Sequence, residues 1–231
     1  MKILAVCIGS AERLPGKSYK TGIYKRPISG SVLVDAEGLF GDAICNRKHH
    51  GGVDQAVYLE GSLTLDWWSK ELERAVEPGT FGENMVIDGL DNRIVCVGDR
   101  FIAGDLVLEV TSARIPCATF AAWMGDPRFA KRYTKAARPG IYCRVMKGGA
   151  IAAGMPVDHL PYGGEKVTIP EMITTFGKTL ATQDRNRYLA APIHYKLRNI
   201  LEAQVAPSAS APQGQPARPF PPANRQARSS R

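Results

Sequence analysis

Short apolar runs, each broken by glycine, dominate the first 160 or so residues. The opening stretch "MKILAVCIGS" carries an apolar run from Ile3 to Ile8. It is too short for a secretory leader and lacks a cleavage pattern, so it reads as a first buried strand. "ISGSVLV" alternates after a glycine-bounded turn, "VYLEG" is a short apolar run, and "NMVIDGL" ends in the turn dipeptide Asp88-Gly89. "IVCVGDRFIAGDLVLEVTSA" holds two further turns, Gly98-Asp99 and Gly104-Asp105, and "GIYCRVMKGGAIAAGM" predicts a hairpin around Gly148-Gly149. Short strands at this spacing predict a mainly β fold, a β-barrel or strongly bent sheet.

Helical spacing interrupts the strands. In "SLTLDWWSKELERAV", Leu65, Trp68, Leu72 and Val76 share one face, Ser62 is placed to cap the start, and Pro78-Gly79 ends the run. A second helix is expected in "ATFAAWMG" after Cys117, and a third from about Pro127. Three regions follow from composition: a β-rich body over residues 1–163, a helical segment over 164–205, and a tail over 206–231. The tail is rich in proline, serine, alanine and arginine, and that composition predicts disorder.

Charge changes the picture little. The net charge is +8, but four of the positive charges (Arg218, Arg225, Arg228 and Arg231) lie in the acid-free tail, which leaves a mildly basic body suited to an anionic ligand. Five cysteines, at 7, 45, 96, 117 and 143, form no C-x-x-C pair. A zinc site built on close cysteine pairs and a disulfide scaffold are therefore not expected, and reduced thiols in a cytoplasmic protein are. No stretch approaches the roughly 20 apolar residues of a membrane span.

Four stretches carry candidate chemistry. In "TSARIPCATF", Pro116 is stiff and biases Ile115 to extended geometry, delivering Cys117 to the start of a helix with Arg114 close by. A thiolate held for chemistry and a buried apolar thiol are both compatible with that pattern. In "RKHHGGVDQAVYLEG", Gly51 and Gly52 can turn their N–H groups toward an anion beside Arg47 and Lys48; a plain tight turn fits as well. Two adjacent histidines on a strand cannot face one metal, and Asp54 is expected to fix a loop. "GKSYKTGIYKRPISG" interleaves Lys17, Lys20, Lys25 and Arg26 with Tyr19 and Tyr24, as a phosphate-facing or a solvated loop does, and it does not have P-loop spacing. In "TFGENMVIDG", Asn84 can hold either a ligand or its own loop. No serine elbow, HExxH helix or dinucleotide G-x-G-x-x-G is present.

Taken in order, "TGIYKRPISG", "GLFGD", "HGGVDQAV", "FGENMVIDGL", "VGDRF", "ARIPC" and "PGIYCRV" resemble the MOSC family, named after the C-terminal domain of molybdenum-cofactor sulfurase, and within it the small bacterial YiiM-like branch. The stretch from "VTIPEMITTFGK" to "NILEAQV" resembles the three-helix appendage of that branch. The resemblance implies a β-barrel-like fold that binds the molybdenum cofactor, a pterin dithiolene. Cys117 would be both catalytic residue and metal ligand, a soft thiolate for such a metal. Lys25, His50, Gly51, Gly52, Asn84, Arg114 and Arg144 would hold the phosphate and pterin. The implied activity is an oxidoreductase that reduces N-hydroxylated compounds, such as hydroxylaminopurine-type bases, to amines. With no flavin, iron–sulfur or nicotinamide motif, its electrons would come from a separate reductase or ferredoxin-type donor. Two rivals stand beside it: a sulfur carrier with a Cys117 persulfide, and a nucleic-acid-binding module using the loop at 17–26 and the arginine tail.

Overall fold

Alternating burial and glycine turns build the strands. The computed structural model of the protein describes residues 1–47 and 50–204; the tail expected from 206 onward lies outside them. The strands are β1 (Ile3–Gly9), β2 (Glu12–Arg13), β3 (Lys20–Thr21), β4 (Lys25–Pro27), β5 (Val32–Asp35), β6 (Gly38–Leu39), β7 (Val57–Gly61), β8 (Met85–Ile87), β9 (Arg100–Ala103), β10 (Leu106–Ala113), β11 (Ile141–Lys147), β12 (Gly149–Ile151) and β13 (Asp158–Leu160). The helices are α1 (Ser62–Glu71), α2 (Ala118–Trp123), α3 (Phe129–Ala136), α4 (Ile169–Thr175), α5 (Thr182–Ala190) and α6 (Tyr195–Ala203). The expected combination of bent sheet, inserted helices and C-terminal helices is what the chain adopts.

The main sheet is mixed and eight-stranded, in the order β13-β9-β10-β11-β7-β8-β1-β4. β9 and β10 form a tight hairpin: Ala103 pairs with Leu106 across Gly104-Asp105, and Gly104 takes φ 58°, open chiefly to glycine. β7 and β8 are parallel, and the crossover between them carries α1. The sheet curls back on itself. Ile3 N donates to Met155 O (2.8 Å) and Val157 N to Met1 O (2.9 Å), so the segment leading into edge strand β13 bonds to β1 near the opposite edge. That irregular seam gives the barrel-like curvature.

Two local expectations are corrected. Gly148-Gly149 does not join a hairpin, because β11 pairs with β10 and β7 while β12 pairs with β5 in a separate small sheet. The backbones pass too closely there for side chains: a Cβ on Gly148 would lie 2.8 Å from Val34 O, and one on Gly149 2.6 Å from Leu106 N. Ser62 does not cap α1. Its Oγ accepts from Gly89 N at 2.9 Å, tying the helix start to the Asp88-Gly89 turn, and α1 ends before Leu72 rather than running on to Val76.

One aromatic cluster fills the space between sheet and helices. Trp68 of α1 stacks on Tyr133 of α3 (5.4 Å, 12°), and Phe81, Phe120 and Phe129 meet them edge-on or tilted. Val167, Ile169, Ile173, Tyr188, Ile193 and Leu201 of the C-terminal segment belong to the same continuous core. That segment is also stitched on by backbone bonds: Val97 N to Val167 O, Ile169 N to Val95 O and His194 N to Thr111 O. Among the described residues, no helix is long and apolar enough to cross a membrane.

Candidate functional site

The chain leaves β10 at Ala113, and Arg114 N donates to Gly140 O, which fixes the exit. Ile115 and Pro116 then lead to Cys117, which precedes α2 with an extended backbone (φ −119°, ψ 171°). α2 is short, and it is anchored from outside: Trp123 Nε1 donates to Thr80 O at 2.7 Å, and the Trp123 ring meets Tyr24 edge-on at 4.7 Å. Cys117 is therefore presented by two fixed elements.

Cys117 lies half-buried in an open cavity of about 140 Å³. Lys25, Asp42, His50, Gly51, Tyr58, Asn84, Arg114 and Tyr142 line it too, with Tyr19 and Thr119 at the rim, where their hydroxyls lie 3.0 Å apart. Burial raises the Cys117 thiol, but a hydrogen bond from His50, the Arg114 charge and the N–H of Phe120 outweigh it and bring the thiol down to about 6. At neutral pH this sulfur is a thiolate. The other cysteines with a resolved shift go the opposite way: burial pushes Cys7 up to about 12, and it also raises Cys96 and Cys143.

Arg114 is 5% exposed, and its Nε and Nη1 have no hydrogen-bond partner within the protein. Its guanidinium carbon lies over Phe120, 3.5 Å from the ring centre. A buried cation with unfilled donors beside a thiolate calls for a bound anion. Lys25 and Asn84 are already engaged. The Lys25 ammonium forms a buried ion pair with Asp42, and Asp42 also accepts from Asn84 Nδ2 (2.9 Å) and Gly9 N (2.8 Å). Asn84 Oδ1 accepts from Tyr58 N at 3.2 Å. Both residues form the cavity wall and hold β1, β7 and the 40s loop together.

Of the residues expected to hold a cofactor, Lys25, His50, Gly51, Asn84 and Arg114 thus gather around Cys117. Gly52 and Arg144 do not line the cavity. Gly52, at φ 84°, opens the turn Val53–Gln55. Arg144 lies two residues beyond Tyr142 on β11 and is drawn away by acceptors: Nε pairs with Asp54 (3.0 Å) and Nη2 donates to Pro192 O (3.1 Å). It fastens the body to the C-terminal helices. Asp54 fixes its loop, also accepting from Tyr195 N at 2.7 Å. Lys48 and His49 lie outside the described residues. Tyr58, Tyr142 and Asp42 were not expected at the site. One signal did exist, since "VYLEG" places a carboxylate, Glu60, inside an otherwise apolar buried strand.

Among the described residues, no group of three or more His, Cys, Asp or Glu side chains is placed to hold a metal ion. A metal that arrives with its own chelating ligand, taking one protein thiolate and an arginine for its anionic part, fits these residues.

A model of the MOSC domain matches residues 46–158. The chain is 30% identical over 169 residues to the uncharacterized protein YflK of Bacillus subtilis, covering 72% of this chain and 76% of that one. It is 33% identical over 155 residues to a protein of Gibberella moniliformis named a reductase, covering 64% of this chain but only 27% of that much longer one. In structure it is similar to YiiM from Geobacillus stearothermophilus, with a TM-score of 0.73 and 23% identity over 89% of this chain and 99% of that one.

Proposed function

The chain belongs to the MOSC domain family, whose members are associated in general with molybdenum-cofactor binding, and from that premise we propose that it is a molybdenum-cofactor oxidoreductase that reduces N-hydroxylated compounds to amines. The observation that carries the reading is the pairing of an ionised Cys117 with the unfilled N–H groups of Arg114 in one cavity. The reductase-named relative supports the redox class. The overall change is R–NHOH + 2 e⁻ + 2 H⁺ → R–NH₂ + H₂O, with the electrons supplied by a separate reductase or ferredoxin-type partner.

When bound, the cofactor supplies the two-electron chemistry at the substrate oxygen. The protein's own residues do the rest. Cys117 offers the ligating sulfur, and His50 and Arg114 keep it ionised. Arg114 would also bind an anionic group of the cofactor through its open donors, with the Phe120 ring packed against its guanidinium. Lys25, Asp42 and Asn84 keep the wall rigid. Tyr58 and Tyr142, with rings 5.3 Å apart, give the cavity an aromatic side suited to a flat base.

The test is expression in a host that makes the cofactor. Wild type is expected to carry molybdenum and to reduce N-hydroxylaminopurine, and Cys117→Ala to lose both. Equal metal loading in the two proteins would remove the mechanism. The same ionised cysteine also suits a persulfide carrier. Sulfane sulfur on Cys117 in protein free of metal would favour that second reading.

A further inference from the structure

Three tyrosines, Tyr58, Tyr133 and Tyr142, stand close enough to Arg114 to feel its charge, and their hydroxyls are not equivalent. The Tyr58 hydroxyl lies 2.7 Å from Oε1 of the buried Glu60, whose Oε2 accepts from Asn92 Nδ2 at 2.6 Å. The Tyr133 hydroxyl accepts from Gly140 N at 2.8 Å. Both are committed to the core. Tyr142 is half-buried, and among the described residues its hydroxyl has no hydrogen-bond partner. That oxygen is not sealed in the interior, so it opens on the cavity that Tyr142 lines.

The sheet register accounts for this placement. Tyr142 of β11 pairs with Tyr58 of β7 on one side and with Ser112 of β10 on the other, and residues paired in this way share a face. Arg114 follows Ser112 by two residues, and its N–H is held by the carbonyl of Gly140, two residues before Tyr142. The Tyr142 O–H and the Nε and Nη1 groups of Arg114 are therefore donors left without an acceptor at one cavity. Burial raises the Tyr142 hydroxyl against the pull of Arg114, so it keeps its proton at neutral pH and serves as a donor. Among the described residues, Asp42 is the one carboxylate in the cavity lining, and Lys25 matches it; Lys20 adds a positive charge to the same lining. Unfilled donors with no unmatched carboxylate beside them suit an oxyanion.

We propose that Tyr142 and Arg114 together form an oxyanion seat beside Cys117, in which the Tyr142 O–H and the guanidinium both donate to one phosphate-like group. The inference rests on the cofactor reading given above and deepens it, since there Arg114 held the anion alone. The same chemistry is offered by an anionic group of the cofactor and by a free oxyanion. Tyr142 is a binding residue here: no covalent bond is made or broken, and its proton stays on its oxygen.

Thermal melts of the metal-free full chain in inorganic phosphate test the seat. Wild type is expected to melt higher as phosphate rises. Tyr142→Phe is expected to melt with wild type in phosphate-free buffer, because its hydroxyl has no internal bond to lose. It should need about tenfold more phosphate for the same shift, as the loss of a hydrogen bond to a charged group predicts. Tyr58→Phe should do the reverse, melting lower without phosphate and keeping the wild-type phosphate midpoint. Arg114→Met should lose the response. A wild-type midpoint in Tyr142→Phe removes Tyr142 from the seat, and a wild type that phosphate does not shift overturns the seat altogether. A response abolished by Lys20→Ala but kept by Tyr142→Phe places the anion at the lysine and also overturns it. In molybdenum-loaded protein the phosphate shift is expected to vanish, because the cofactor's anionic group fills the seat. Loaded protein that still shows a Tyr142-dependent shift leaves the seat standing and assigns it to a free oxyanion. A chain that takes up no molybdenum yet binds phosphate through Tyr142 loses the functional reading and keeps the seat.

Discussion

The guanidinium of Arg114 lies 3.5 Å from the centre of the Phe120 ring, so the cation that faces Cys117 is held by the same short helix that Cys117 precedes. The ring thus packs against the cation that lowers the Cys117 thiol. Arg114→Met removes the cation at similar bulk. The Cys117 thiol, at about 6 in the wild type, is expected to move up toward the ordinary thiol value of about 8.5. Iodoacetamide labelling of the Cys117 peptide across pH, kept separate from exposed Cys45, reads this directly: at pH 7 the variant should label more slowly and its midpoint should lie higher. An unchanged midpoint would show that His50 and the Phe120 N–H suffice.

Trp68 is fully buried between Tyr133, Phe81 and Phe129. Its removal leaves a large hole in the one cluster that joins α1, α3 and the wall behind Phe120. Trp68→Ala is expected to cost about 3–5 kcal/mol in urea unfolding. It should also loosen Phe120 and so raise the Cys117 midpoint in the labelling assay. Trp68→Phe, which keeps a ring in place, should lose less in both measurements.

What the sequence allowed to be read depended on how local the signal was. Val32–Asp35 alternates buried and exposed as its residues suggest, and Gly104-Asp105 makes the hairpin its dipeptide announces, because both signals are settled within a few residues. The delivery of Cys117 by Pro116 was legible for the same reason. Gly148-Gly149 suggested a turn, but the pair serves a close backbone approach instead, and long-range pairing with β5 decided that. Ser62 has the right type and place for a helix cap, yet the neighbouring Gly89 N–H claims its hydroxyl. Arg144 sits in a stretch shared with the family, and only the folded positions of Asp54 and Pro192 show that it serves the C-terminal segment. Glu60 was hidden by its own strand, since an apolar run is read for its periodicity and its single carboxylate is passed over.

Asp54 holds two things at once, the Arg144 guanidinium and the backbone N–H of Tyr195 at the start of α6. Asp54→Ala leaves a partly buried cation and a helix-end donor without this partner. A loss of about 2–3 kcal/mol is expected, less than for a fully buried pair because Arg144 retains some exposure and Glu109 lies 3.6 Å away. Hydrogen exchange should rise first in α6 rather than in the sheet. The labelling midpoint of Cys117 should not move, which separates this fastening from the site.

Glu60 also sets how stability responds to pH. Its carboxyl is raised by burial from an ordinary 4.5 to about 8 in the folded protein. Between those values the folded state holds a proton that the unfolded chain releases, so the contribution is full below about 4.5 and is lost as pH rises through about 8. Glu83, raised to about 6 by burial, adds a smaller decline over the lower part of the same range. Glu60→Gln removes the larger component while keeping a donor toward Tyr58 and an acceptor for Asn92. Thermal melts from pH 5 to 9 should therefore show the wild type losing ground to the variant with rising pH, with the gap levelling off once pH passes the folded-state value. Parallel curves over the whole range would mean that Glu60 is already ionised when buried.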